Sequence, residues 1–137
     1  MKKSAQAMVI GSFAADALAL GVHWVYDTKE IVRNYSTITK FLPPHQKNYH
    51  PTKLAGDFTH YGDQALHLLQ HLAEKGGEFS APDYASAWQK FMIEYDGYID
   101  RASSQTLSSM KDSKSRTGSG SQSNDLGGPA RIAPLIY

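Results

Sequence analysis

Apolar residues recur at helical spacing along the regular segments of this 137-residue sequence, and no segment alternates apolar and polar residues over a useful length. From Ser4 to Val22 the apolar positions approximate a 3.6-residue repeat, with alanine filling the gaps. This pattern predicts a mostly buried first helix. A second periodic segment begins at Gly62-Asp63 and reaches Gly76-Gly77, a pair typical of a helix C-terminus. The sequence therefore predicts an all-α fold.

Two further helices are predicted from residues that favour helix N-termini. Asp27 is followed three residues later by Glu30, which is the spacing of a capping box. Ser80 and Pro82 stand where an N-cap and a first helical turn are expected. We therefore expect a short helix from Asp27 and a longer one that runs from Ser80 to about Tyr95.

The rest of the chain divides into two loops and two shorter helices. Three prolines between 35 and 60 exclude a regular helix there, so a long loop is expected. A helix is expected over 100–111. Residues 113–128 are rich in serine and glycine and predict a second loop, after which Pro129 begins a helical segment.

Composition limits the class of protein. The chain has 14 Lys and Arg against 13 Asp and Glu, scattered along the sequence, which gives no electrostatic case for binding nucleic acid. It has no cysteine, so disulfides and thiolate metal sites are excluded. The length fits one domain over residues 1–137.

Asp16 interrupts the first apolar segment, which is shorter than the roughly 20 residues of a membrane span. A cytoplasmic protein without a membrane partner is therefore expected.

The last four residues, 134–137, are apolar and have nothing after them to cover them. This pattern favours a truncated chain, or one half of a larger helical core. Such a half is expected to self-associate in order to bury its exposed apolar faces.

Asp16 is the most unusual residue of the first helix, because a carboxylate within an alanine- and leucine-rich segment is costly to bury without a partner. It fits a site residue that faces a ligand cleft. It equally fits the solvent-facing edge of the helix, or a cap for a neighbouring loop.

Histidines provide a second set of candidates. His67 and His71 share a helix face with Glu74 and could hold a zinc ion. A solvated polar face explains the same spacing, since these residues belong to a polar stripe that also contains Gln64. His23 fits either a site residue or a packed ring, whereas His50 has no partner at a diagnostic spacing.

The serine- and glycine-rich segment 117–129 is the third candidate. Backbone N–H groups that precede a helix can bind phosphate. The segment lacks the lysine of a Walker loop and does not follow a strand, so neither nucleotide-binding fingerprint applies. A flexible linker has the same composition.

Three segments together resemble the ADP-ribosylglycohydrolase family, and in particular its J-crystallin-like branch. They are residues 15–27 (ADALALGVHWVYD), 59–66 (THYGDQAL) and 123–135 (SNDLGGPARIAPL), and residues 95–101 (YDGYIDR) also fit. Their order and spacing extend across nearly the whole chain. Members of the family are roughly twice as long, so the resemblance covers an N-terminal half.

The resemblance implies a mostly orthogonal bundle of helices. It also implies hydrolysis of the N- or O-glycosidic bond that joins ADP-ribose to a protein side chain or small acceptor, at a dinuclear Mg or Mn site. Asp16 and Asp63 would be catalytic, and Thr59 and Asp63 would bind metal. The residues implied to bind the ADP-ribose-type ligand are His23, Asn124, Asp125 and Arg131.

This chain departs from the typical members at the metal motif. They carry Thr-Asp-Asp, whereas here Thr59 is followed by His60 and Tyr61, and the nearest carboxylate is Asp63. A glutamate expected shortly after the first motif aligns with His23. Two functions therefore stand as alternatives: a hydrolase of ADP-ribose-type bonds, and a non-catalytic, crystallin-like or ligand-binding helical protein of the same family.

Overall fold

Helix α3 (His60–Glu74) lies at the centre of the computed structural model, which describes residues 3–45, 49–112 and 118–136, and it packs against four other helices. Every regular element of the described residues is helical, so the all-α prediction is confirmed. The other elements are α1 (Lys3–Ala19), a short 3-10 helix (Leu20–Val22), α2 (Thr28–Tyr35), α4 (Ala81–Glu94), α5 (Arg101–Asp112), α6 (Gly127–Arg131) and α7 (Ala133–Ile136).

Residues at the helix ends act as the sequence predicts. The Asp27 side chain accepts a hydrogen bond from the Lys29 N–H at 2.8 Å and caps α2. At the end of α3 the Gly77 N–H donates to the Leu72 carbonyl at 2.7 Å, and Gly76 has a φ of +67°, which favours glycine. The predicted ends of these two helices are confirmed.

The start of α3 was predicted two residues too late. The helix begins at His60 because Thr59 is its N-cap, with the Thr59 side chain accepting from the Tyr61 N–H at 3.1 Å. Helix α6 likewise begins at Gly127, ahead of the predicted Pro129. The described parts of the predicted loops, 36–59 and 118–126, contain no regular element, while 46–48 and 113–117 lie outside the described residues.

The polar stripe of α3 is not the solvated face that its spacing suggests. Gln64 is 1% exposed, donates to the His60 carbonyl at 3.1 Å and accepts from the Trp88 indole N–H at 2.9 Å. His71 is also buried, with Asp83 of the α4 N-terminus 3.8 Å away. Helix α4 covers this side of α3, so both side chains are buried between the two helices, and the amide of Gln64 is hydrogen-bonded within the protein.

The prediction that α1 is mostly buried is wrong. Val9 and Ala17 are its buried residues, whereas Ile10 is 68% exposed and Met8 is about half exposed. Helix α1 packs along one side only, against α3, α7 and the 3-10 helix that follows it. The alanine-rich surface permits close packing there, but no described element covers the other side.

The first helical segment is longer than its interruption at Asp16 suggests. It runs without a break over Lys3–Val22, which is 20 residues, with a mean hydropathy of 1.5 over its best window. By length and composition alone it could therefore cross a membrane, although core helices and signal sequences satisfy the same measure. The prediction that this segment is too short is wrong, and a cytoplasmic location stays a prediction.

The contact between α1 and α3 depends on a glycine. A Cβ at Gly62 would lie against the Asp16 carboxylate and 2.7 Å from the Cβ of Phe58. We expect Gly62→Ala to lower the free energy of unfolding by about 2 kcal/mol through overpacking, as measured by urea denaturation. Gly11→Ala is the matched control, since nothing lies within 4 Å of its Cβ position. It should raise stability by about 0.5–1 kcal/mol, and equal losses in both variants would contradict this packing.

Candidate functional site

The first turn of α3 brings residues from both ends of the chain together. The Asp16 carboxylate of α1 accepts from the Thr59 N–H at 2.8 Å and from the Thr59 hydroxyl at 2.7 Å. Two residues further on, the Arg131 guanidinium of α6 lies 4.9 Å from the centroid of the Tyr61 ring. Asp16 and Arg131 therefore contact the N-cap and the first turn of the same helix.

Asp16 is a half-buried carboxylate rather than a solvent-facing one. Burial raises its pKa above the usual value, and the negative charge of Asp63 adds to this effect, while the two hydrogen bonds from Thr59 oppose it. The side chain caps the start of α3 and also lies beside a second carboxylate. The structure thus supports the cap among the alternatives that the sequence left open, and the role of Asp16 as a site residue stays a prediction.

Asp63 lies one turn into α3 and is already paired. Its Oδ2 atom lies 2.6 Å from the Lys53 ammonium and 2.5 Å from the Tyr95 hydroxyl, which donates to it. Burial raises the pKa of Tyr95, and the bond to Asp63 raises it further, so this phenol stays protonated and remains a donor. Asp63 is held by an ion pair and a short hydrogen bond.

Asp100, at the start of α5, is a site residue that the sequence analysis did not single out. Its Oδ1 accepts from the Ser103 N–H at 2.6 Å, and its Oδ2 lies 3.2 Å from His60 Nε2 and also accepts from the Arg131 guanidinium. Burial by itself would raise the pKa of Asp100, but these hydrogen bonds and the Arg131 charge outweigh it and hold the pKa well below the usual range. The resemblance of segment 95–101 was the signal that pointed here.

Three histidines from separate parts of the chain meet beside the same turn. One ring nitrogen of each of His23, His50 and His60 lies within 4.8 Å of the others. It is the one group of three or more metal-binding side chains found among the described residues, so the alternative set of His67, His71 and Glu74 is not gathered into a site. Sequence spacing could not indicate this cluster, because 26 or more residues separate His23 from the others.

Aromatic rings enclose this histidine cluster. Trp24 stacks on His50 with ring centroids 5.3 Å apart and an angle of 7° between the planes, and Tyr98 meets His60 edge-on at 5.3 Å. Trp24 has a φ of +63°, which is unusual for a bulky residue and marks local strain. Burial, together with a smaller electrostatic effect of the nearby His60, lowers the pKa of His23 and that of His50 to about 4, so both rings are neutral at pH 7.

The loop before α6 is only partly at this site. The Ser121 N–H donates to the Thr106 hydroxyl of α5 at 3.1 Å, so the described part of the loop is attached to the helical body. Asp125 accepts from the Gly127 N–H at 2.8 Å. Asn124 is exposed and lines a separate pocket of 190 Å³ with Arg101. Of the three residues expected to bind the ligand from this region, Arg131 is the one that reaches the turn of α3.

A cavity opens on the other side of Arg131. Its volume is 330 Å³, within the range of small-molecule sites. Most of its lining is apolar or aromatic, including Tyr84 and Trp88 of α4, and Gln64 and Arg131 supply polar groups. Arg131 Nε is buried and has no hydrogen-bond partner among the described residues.

Comparisons with known proteins identify the family of the chain. A sequence model of the ADP-ribosylglycohydrolase family matches residues 1–137, and the chain belongs to that family. Crystallin J1A of Tripedalia cystophora is 33% identical over 95 residues, which are 65% of this chain and 28% of the crystallin. Crystallin J1B of the same animal is 33% identical over 96 residues, which are 66% of this chain and 28% of that protein. The chain thus covers less than a third of these relatives, and no solved structure shows significant similarity to it.

The family is generally metal-dependent, and Mg²⁺ and Mn²⁺ require several oxygen ligands that are free to coordinate. The Thr59 hydroxyl donates to Asp16 and accepts from the Tyr61 N–H, and Asp16 already accepts two hydrogen bonds. The Lys53 ammonium already supplies the positive charge beside Asp63, where a metal ion would otherwise bind. In this arrangement the described residues do not fit a dinuclear Mg or Mn site.

Proposed function

We propose that this chain forms the ADP-ribose-binding wall of a hydrolase that cleaves the glycosidic bond between ADP-ribose and an acceptor. The observation that carries the proposal is the convergence of Asp16 and Arg131 on the first turn of α3, in a chain that matches the family over residues 1–137. The remaining parts of such a protein, which this chain does not cover, would complete the site.

Arg131 is the residue best placed to bind the ligand. A guanidinium has five donors in a planar fork, which suits the oxygens of a diphosphate. Asp100 takes one terminal nitrogen of Arg131 and holds the group in position, while the buried Nε has no partner among the described residues. The adjoining cavity presents Tyr84 and Trp88, whose rings would stack on a nucleobase.

Asp16 is the residue proposed to act on water. Its two oxygens have four acceptor positions, and Thr59 uses two of them, so an acceptor position remains for a water molecule. Its raised pKa makes the carboxylate a better proton acceptor than an ordinary aspartate. Asp63 is proposed as a positioning residue, since Lys53 and Tyr95 already engage it.

A second candidate function is binding of an ADP-ribose-type ligand without hydrolysis. The observation that favours it is the pairing of Asp63 with Lys53 and Tyr95, which leaves the site with one carboxylate available for chemistry. Both functions need the same binding surface. Measurement of bond cleavage separates them.

Calorimetric titration with ADP-ribose tests the binding surface. The unchanged chain should bind ADP-ribose, and Arg131→Lys should weaken binding by about 10- to 100-fold, because lysine lacks the planar fork that gives paired hydrogen bonds to phosphate. Arg33→Lys, on an exposed position of α2, is the matched control and should leave affinity unchanged. Release of ADP-ribose from an ADP-ribosylated peptide would establish the hydrolase, and binding without release would establish the second candidate. An absence of binding at millimolar ADP-ribose would overturn both.

A further inference from the structure

The cluster of His23, His50 and His60 offers a ligand chemistry that is separate from ADP-ribose binding. His23 follows the 3-10 helix, His50 lies in the loop before α3, and His60 is the first residue of α3. Each of these three segments therefore places one imidazole in the same cluster. Two nitrogens on one tetrahedral Zn²⁺ are about 3.4 Å apart, so donors that already lie within 4.8 Å of one another need only small rotations of the rings to share an ion.

Buried nitrogens without partners distinguish this cluster from ordinary ring packing. His50 is 1% exposed, and neither of its ring nitrogens has a hydrogen-bond partner among the described residues. His60 is fully buried, and its Nδ1 atom also has no partner in the described part of the chain. Polar groups buried in this way are costly unless something binds them. A bound cation would satisfy one atom on the ring of His50 and one on the ring of His60.

Asp100 orients one of the proposed donors. A carboxylate only accepts hydrogen bonds, so His60 Nε2, at 3.2 Å from Asp100 Oδ2, carries a hydrogen. This leaves Nδ1, the ring nitrogen without a partner in the described part of the chain, as the atom whose lone pair would bind a metal ion. The Ser103 N–H and Arg131 in turn hold Asp100. A carboxylate behind a histidine is the usual outer support of histidine ligands to zinc.

We propose that His23, His50 and His60 form a binding site for Zn²⁺. Imidazole nitrogens suit zinc and related first-row ions, whereas Mg²⁺ requires oxygen ligands, so the site differs in ligand chemistry from an oxygen-based Mg or Mn centre. Three protein donors leave a fourth position on a tetrahedral ion for water or another ligand. Aromatic packing of the three rings without any metal is the competing explanation.

The test is a calorimetric titration, in which ZnCl₂ is added to the chelator-treated 137-residue chain. We expect one zinc ion per chain, and millimolar MgCl₂ should neither bind there nor displace it. His50→Phe retains a flat ring against Trp24 but removes the donors, and it should weaken zinc binding at least 100-fold. His67→Phe removes a histidine outside the cluster and should change the affinity by no more than about twofold.

Two spectroscopic measurements keep the test independent of how well the variants fold. Co²⁺ added in place of Zn²⁺ should give the intense visible absorption of a tetrahedral site in the unchanged chain. In a ¹⁵N-histidine NMR spectrum of the unchanged chain, ring nitrogens of three histidines should shift at one equivalent of zinc. Zinc binding of equal strength in His50→Phe, or no shift of histidine nitrogens, would show that the cluster is only aromatic packing and would overturn the proposal.

Discussion

Acidifying the chain from pH 7 to pH 5 in the presence of a chelator is expected to lower its free energy of unfolding by about 2 kcal/mol for each of His23 and His50. Their pKa values are lowered from 6.5 to about 4 in the folded state, mainly by burial. Between these values the unfolded chain binds more protons than the folded chain. The contribution of these two histidines to the free energy of unfolding is therefore fully present above pH 6.5 and is lost as the pH falls toward 4.

Urea denaturation at pH 7, 6 and 5 measures this loss. His50→Phe should remove the share of the pH dependence that belongs to His50 and make the curve shallower. Gly11→Ala is the control, because it removes no titratable group, and it should leave the slope as it is. A flat stability profile in the unchanged chain would show that the cluster titrates normally.

Asp16 contributes a pH dependence of the opposite sign. Because its folded pKa is raised above 3.8, the folded chain takes up its proton first, and the penalty of burying this charge disappears as the pH falls through that folded value. Asp100 behaves in the other direction, since its lowered pKa gives stability that is present above 3.8 and is lost as the pH falls below that value. The contribution of Asp100 therefore lies below the range in which the histidines titrate.

Asp100→Ala is expected to cost about 3–5 kcal/mol of unfolding free energy, since it breaks a largely buried ion pair and leaves a charge without its partner. The substitution leaves the Arg131 guanidinium without its carboxylate partner. It also removes the hydrogen-bond acceptor of His60 Nε2 and that of the Ser103 N–H. Few side chains in the described structure satisfy so many groups. Asp100→Asn, which keeps the shape and one acceptor oxygen, should cost less.

Thermal and urea denaturation of the Asp100 variants at pH 7 measure these losses. The matched control is Asp27→Asn, which removes the same charge from an exposed N-cap that asparagine fills equally well, so it should change stability by less than about 0.5 kcal/mol. If Asp100→Ala lost no more than Asp27→Asn, the network around Asp100 would not contribute to the fold.

Local rules predicted the helices well because the residues concerned act on their immediate neighbours. Asp27 caps the backbone two residues away, and Gly76 ends α3 through its own φ. The same rules placed the start of α3 late, since the first turn lacks the large apolar residues that mark the rest of the helix. The resemblance implied that Thr59 binds metal, which stays a prediction, and the structure shows that Thr59 caps the helix.

Burial was harder to predict than helix position. The composition of α1 indicates a core helix, yet one side of it is exposed, because the described elements cover only the other side. Gln64 and His71 lie on a stripe that reads as solvated, yet α4 covers them. The number of sides of a helix that are covered depends on its neighbours, and residue spacing along one helix carries no such information.

Periodicity, capping residues and the absence of β alternation in this chain were enough to establish the all-α class, and three short segments were enough to indicate its family. The chemistry of the candidate site depended on three-dimensional contacts. Lys53 neutralises Asp63, Arg131 reaches Asp100, and His50 joins the histidines far from it in the chain. Hydrogen bonds and ion pairs act over a few ångströms in space, so residue order could not reveal which side chains they join.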